Sequence, residues 1–288
     1  MIYLTQEEYK NIALDTLKLS TKLSLEVNGL NYDIRSYVNK MILNTKIYEF
    51  DKTINFVSSS SQIPFYEVVN QTTINAILTS NICNEKIGIL NFASAIKAGG
   101  GWLNGRNAQE EDIMRKTTLF PSLVIQDKFY KIHNKGNPFY SNTIIYSPNV
   151  LVIKDDDYNL IVPKEINVIT SAAINLSEIN KNSYLVNIIN QMNSMGNFDL
   201  VEEVMLQRIE RILQVAIDNN IECLILGAFG CGVFGHDAKK VANWFYFLLK
   251  NKGYEIYFKK IIFAVLDNSP MKINYNAFYN PFKNNTLN

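Results

Sequence analysis

Short, nearly unbroken apolar runs alternate along this chain with amphipathic stretches of helical period. The clearest helix lies over 199–220, where Val201, Val204, Met205, Ile209, Ile212, Leu213, Ala216 and Ile217 share one face and charges take the other. Residues 5–20 predict a second, opening at Thr5 with acids in its first turn. Further helices are expected over 72–82 and 237–250, and Gln109-Glu110-Glu111 opens another that Pro121 breaks. The runs 87–92, 222–226 and 260–266 predict buried strands, with two more over 150–153 and 167–171. A short β-like run at 53–57 and a β-branched run near Val68 precede them. Residues 122–165 read as less regular, with loop signals at Asn137-Pro138, Ser147-Pro148 and Asp155-Asp156-Asp157. Strands alternating with helices, and buried on both faces, predict an α/β sheet covered by helices on both sides. With no internal repeat or low-complexity linker, the chain reads as one unit: an N-terminal helical extension over 1–60 and a core over 61–288.

Composition narrows the function classes. A content of 47% hydrophobic and 19% charged residues over 288 positions describes a folded globular chain. The formal charge of +1 leaves no broad basic field, so nucleic-acid binding is not expected and an anionic ligand must be held by local features. Cys83, Cys223 and Cys231 have no zinc or disulfide spacing, which fits a reducing setting. Glu7 and Glu8 stand where a signal peptide needs an apolar run, and no stretch is long enough to span a bilayer, so a soluble cytoplasmic protein is expected. His133 and His236 lack metal-ligand spacing, and neither a metal nor a cofactor is predicted.

Two glycine-rich segments each follow a predicted strand. The first, Gly99-Gly100-Gly101, permits close backbone approach to a ligand, and Gln109-Glu110-Glu111 brings acid/base chemistry beside it. The second contains Gly227, Gly230, Gly232 and Gly235, and runs into a predicted helix whose N-terminus favours phosphate. An isolated glycine loop is about as often a plain turn. Two of them at the carboxyl ends of strands favour a diphosphate ligand. Gly230-Cys231-Gly232-Val233-Phe234-Gly235 also matches GxGxxG, with Glu255 at a tolerable distance for a ribose-binding acid, so a nicotinamide-dependent oxidoreductase stays open.

These residues resemble the bacterial-type poly(ADP-ribose) glycohydrolases, whose signature is a triple glycine, a short spacer and Gln-Glu-Glu. Here it reads Gly99, Gly100 and Gly101, residues 102–108, then Gln109, Glu110 and Glu111. Leu90-Asn-Phe-Ala-Ser, Tyr146-Ser-Pro-Asn-Val and Val168-Ile-Thr-Ser-Ala-Ala are similar to the family as well. The departures are Lys97-Ala98 before the first glycines, and His236 and Ala238 after the second loop. The resemblance implies a macrodomain-like three-layer α/β/α sandwich with a mixed, mostly parallel sheet. It implies hydrolysis of ribose–ribose bonds in poly(ADP-ribose), with poly(ADP-ribose) or ADP-ribosylated proteins as partners. It makes Glu111 the catalytic acid/base and 227–234 the diphosphate loop, with Val233 and Phe234 against the distal ribose; Cys231, by its place in that loop, is expected to reach the ligand through its N–H. Phe278 or Tyr279 is the candidate adenine stack.

Physical reasoning supports one working carboxylate. Ordinary glycosidases set two carboxyl groups on either side of the scissile bond. Adjacent residues on a helix diverge by about 100° and cannot straddle a sugar. With Glu111 in that role, as the resemblance implies, it is expected to protonate the leaving oxygen and then activate water, with its pKa raised by neighbouring Glu110. Glu110 is expected to orient the substrate sugar and Gln109 to order the helix start. A non-catalytic ADP-ribose-binding module, or an enzyme for mono-ADP-ribosylated targets, is the alternative.

Overall fold

The computed structural model describes residues 4–54, 63–82, 85–196 and 198–283. The chain opens with α1 (Gln6–Lys22), a hairpin of β1 (Ser24–Val27) and β2 (Leu30–Asp33), α2 (Arg35–Asn44) and β3 (Lys46–Tyr48). Then follow β4 (Phe65–Val69), α3 (Thr73–Thr79), β5 (Ile87–Phe92), α4 (Gln109–Lys116), α5 (Phe120–Val124) and α6 (Asp127–His133). Next come β6 (Ile144–Lys154), β7 (Leu160–Ser171), α7 (Leu176–Asn180), α8 (Ser183–Gly196) and α9 (Leu200–Asp218). The chain closes with β8 (Cys223–Leu226), α10 (Ala238–Tyr246), β9 (Lys260–Ala264) and α11 (Ile273–Phe282).

Seven strands form one sheet in the order β3-β6-β7-β5-β8-β9-β4. The five strands from β7 to β4 are parallel, and β6 and β3 join antiparallel at one edge. Alternation along each strand divides its side chains between two cores. Leu90, Leu224, Leu226, Ile261 and Phe263 pack under α9, α10 and α11. Ile87, Ile89, Cys223, Ile225 and Ile262 pack against the helices of the first half of the chain. The result is an α/β/α sandwich with a mixed, mostly parallel sheet.

Several elements differ from the pattern-based expectation. The region 122–165 is not irregular, because it contributes the two longest strands of the sheet. Pro148 obscured them. It falls inside β6 where the register shifts between Ser147 and Val150, and a bulge is the place a strand tolerates proline. Pro121 starts α5 rather than breaking α4, which ends at Lys116. The first 60 residues hold a hairpin besides their helices, and β3 is hydrogen-bonded into the main sheet. Of the β-like run at 53–57, residues 55–57 lie outside the described residues, and 53–54 have no regular structure.

The topology places the site. Strands β5 and β8 are neighbours in the sheet although far apart in sequence. From β5 the chain proceeds to β6 and β7 on one side, and from β8 to β9 on the other. Such a reversal opens a crevice at the carboxyl ends of the strands. Both glycine loops leave β5 and β8 at that end, so they stand side by side.

Candidate active site

Helix α4 begins at the lip of this crevice, with Glu110 and Glu111 in its first turn, where the helix end favours negative charge. Both carboxylates are buried, at 3% and 8% exposure. Glu111 Oε2 accepts the N–H of Ala108 at 3.1 Å, which caps its own helix, and Oε1 accepts the Gly101 N–H at 2.9 Å. The helix-start role and the site role of this acid are thus carried by its two separate oxygens. Glu110 Oε2 accepts the Ser94 N–H at 2.7 Å, and Oε1 accepts from Asn91 Nδ2 at 3.3 Å. Burial pushes the Glu110 carboxyl up to about 8. The Ser94 N–H opposes that push and the neighbouring Glu111 charge adds to it.

The triple glycine has a different role from an open phosphate cradle. The Gly101 N–H goes to Glu111, and the Gly100 N–H goes to the Lys97 carbonyl at 3.0 Å. The Gly101 amide thus holds one of the chain's own carboxylates. Gly99 and Gly100 adopt φ of +68° and +58°, which a side chain resists. A Cβ on Gly100 would stand 2.5 Å from Glu111 Oε1 and 3.0 Å from Glu110 Oε2.

Gln109 fastens α4 to the sheet. Its Oε1 accepts the Phe92 N–H at 2.8 Å, and its Nε2 donates to the Leu90 carbonyl at 2.8 Å and to Thr73 Oγ1 at 3.1 Å. With its amide so occupied, Gln109 positions the acids and has no donor left for a substrate. The 102–108 segment is held from outside by α1. Gln6 Nε2 donates to the Asn104 carbonyl at 2.8 Å, and Asn107 Nδ2 to Tyr9 Oη at 2.9 Å. Buried Arg115 donates to the Arg106 carbonyl at 2.6 Å and to Asn107, beneath the Tyr9 ring at 4.4 Å.

In the second loop most glycines answer to packing. A Cβ on Gly227 would meet the Ala264 carbonyl at 2.5 Å, one on Gly230 the Ala173 Cβ at 2.8 Å, and one on Gly235 the Ser177 hydroxyl at 2.5 Å. Gly232 alone among these faces open space. The N–H groups of Gly232, Val233 and Phe234 donate to no backbone carbonyl among the described residues. Val233 is 78% exposed, and the half-buried Phe234 ring lies 6.2 Å from Tyr140. Phe92 of β5 packs on Phe229 of the loop at 5.7 Å, which ties the two segments together.

Three expectations are corrected. Phe278 is fully buried against Phe245 and Phe263, so it offers no face to adenine. Tyr279 is exposed and stacks on Tyr275. The Cys231 N–H donates to the Ala228 carbonyl at 3.1 Å and is not free for a ligand, and burial pushes its thiol up to about 12. Glu255 binds Lys250 at 2.7 Å and Tyr66 Oη at 2.9 Å, at the amino end of the strands, so the dinucleotide reading loses its ribose acid. Pattern reasoning also passed over Asn91, whose signal was a polar residue in the apolar run of β5. His133 and His236 bond to Ser141 and to the Ile174 carbonyl, and among the described residues no His, Cys, Asp and Glu cluster is placed to hold a metal.

Fold and site together define an α/β/α enzyme of the macrodomain-like class, with an acidic pair at the point where the strand order reverses. The family model for the microbial-type poly(ADP-ribose) glycohydrolase (PARG) catalytic domain matches residues 13–155. The poly(ADP-ribose) glycohydrolase of Thermomonospora curvata is 30% identical, with a TM-score of 0.85 over 96% of this chain and 100% of that one. The Deinococcus radiodurans enzyme, in complex with ADP-ribose, is 28% identical, with a TM-score of 0.74 over 86% and 97%. No curated protein matches the chain. This chain belongs to the bacterial-type poly(ADP-ribose) glycohydrolases.

Proposed function

We propose that this protein hydrolyses the ribose–ribose O-glycosidic bonds of poly(ADP-ribose) and releases ADP-ribose, with Glu111 as the acid/base. The observation that carries this is the pair of buried carboxylates held over the triple glycine in a member of this family. Glu111 enters the reaction protonated in the substrate complex and donates that proton to the leaving ribose oxygen as the anomeric bond breaks. The substrate diphosphate, lying on the open amides of Gly232, Val233 and Phe234, stabilises the oxocarbenium ion. Glu111, now a carboxylate, takes a proton from the attacking water and returns to its starting state. Glu110, whose carboxyl burial pushes up, orients the sugar through hydrogen bonds.

The substrate class is poly(ADP-ribose), with ADP-ribose as the retained product, and nucleic acid is not part of this reading. No helix among the described residues is long and apolar enough to cross a membrane. The sparse cysteines, of which Cys223 and Cys231 are free thiols, support a reducing, cytoplasmic setting. Incubating the protein with purified poly(ADP-ribose) and separating the products tests the proposal. Monomeric ADP-ribose is the expected product. Intact polymer alongside tight ADP-ribose binding would make the chain a reader instead.

A further inference from the structure

We infer that Lys97 and Arg106 form a polymer-side subsite, which holds the diphosphate of the ADP-ribose unit on the far side of the scissile bond from the cleft. This rests on the glycohydrolase reading above. The basic side chains on and around α4 are mostly committed. Lys116 pairs with Asp112 and Asp156, Lys154 with Asp15, and Arg115 with the 106–107 backbone and side chain. Lys97 and Arg106 are the contrast: both are exposed, and neither has a hydrogen bond or ion pair from its side chain among the described residues.

Their positions relate them to the reaction. Lys97 closes the turn before the triple glycine, its carbonyl accepting the Gly100 N–H. Arg106 follows it, its N–H donating to the Gly101 carbonyl at 3.2 Å. The Arg106 stem lies on Gly101, with Cδ 2.6 Å from where a Cβ would stand, and the same glycine's N–H holds Glu111. The two exposed basic residues therefore stand on either side, along the chain, of the glycines whose Gly101 amide holds Glu111. Arg106 is also the one charged residue lining a shallow, open surface hollow formed with Leu4, Gln6, Tyr9, Gly105 and Asn107. The nearest acids of α1 are engaged, Glu7 with Lys10 and Glu8 with Thr5.

A glycosidic bond cut at Glu111 joins two ADP-ribose units, each with a diphosphate. One unit occupies the crevice between the glycine loops. The other lies outside it, along the lip that Lys97 and Arg106 make positive. A chain with a formal charge of only +1 gains its attraction for a polyanion from such local placement. The subsite favours polymer over a single ADP-ribose group.

The test is the doubly substituted Lys97→Gln, Arg106→Gln protein, with Arg106→Glu as a charge reversal, assayed on poly(ADP-ribose) across a salt series. The KM for polymer is expected to rise about fivefold at low salt, with kcat moving far less. The dependence of log kcat/KM on log salt flattens as phosphate contacts are lost. The Kd for free ADP-ribose, by calorimetry, stays within about twofold of native. Native KM and native salt dependence in the variant would overturn the inference, as would a parallel loss of ADP-ribose affinity. The native control separates the two readings, since absence of any release there overturns the glycohydrolase assignment on which this subsite depends.

Discussion

Glu110 and Glu111 are adjacent on a helix, yet their carboxylates converge on one backbone position, Gly100. Helical geometry alone would splay them by about 100°. The convergence comes from α4 being only two residues old at Glu110, so that the side chains curl back over the preceding loop onto N–H groups of Ser94 and Gly101. Gly100→Ala puts a methyl group against both carboxylates and forces an alanine to a φ of +58°. The expected result is a loss of at least about a hundredfold in kcat, with a stability cost of about 1–2 kcal/mol. Product release and a denaturant titration measure the two.

Glu110 makes stability depend on pH. Its folded pKa, about 8, is above its ordinary value of 4.5, so the native state binds the extra proton. The contribution is fully present below 4.5 and is lost as pH rises through 8. Glu110→Gln keeps the neutral form at every pH. Its Tm is expected to exceed that of the native protein at pH 8.5 by about 5 °C and to match it near pH 4.5. Parallel Tm curves for the two proteins across that range would contradict the assignment.

Gln109 is expected to act through position. Replacing it with alanine removes three hydrogen bonds between α4, α3 and β5, and leaves the Phe92 N–H and Leu90 carbonyl without them. Stability falls by about 2–4 kcal/mol, and activity falls with it while the ADP-ribose Kd changes less. Gln109→Glu offers an acceptor where Leu90 needs a donor, and so fails to rescue.

Phe278 separates core from site. Phe278→Leu lowers Tm because it leaves space beside Phe245 and Phe263, at a cost of about 1–3 kcal/mol. The Kd for ADP-ribose in the folded variant stays native. A selective loss of affinity, measured by calorimetry well below Tm, would restore Phe278 as a stacking partner.

What could be read in advance follows the range of the interactions. The triple glycine and Gln109-Glu110-Glu111 are close in sequence, so their spacing already implied a shared site. The nearly unbroken apolar runs of β5, β8 and β9 exposed their burial on both faces. The pairing of β5 with β8, which sets the two glycine loops together, joins residues more than 130 positions apart and has no local signal. The facing of Phe278 depends on how α11 rotates against α10, which an isolated aromatic near the chain end does not encode. The length of β6 was hidden by Pro148, whose cost is absorbed at the bulge. Gln109 reads only as a residue that orders the start of α4 until β5 is seen beside it, because its partners there are backbone groups, which no residue pattern marks.

The most direct test of the account is Glu111→Gln, assayed for ADP-ribose release from poly(ADP-ribose) beside calorimetry with ADP-ribose. The amide keeps the shape of the side chain and removes the proton it must give and take. A fall in release of about 10²–10⁴, with the Kd for ADP-ribose near native, is the predicted result. Release at close to the native rate by a folded, ligand-binding Glu111→Gln protein would contradict it.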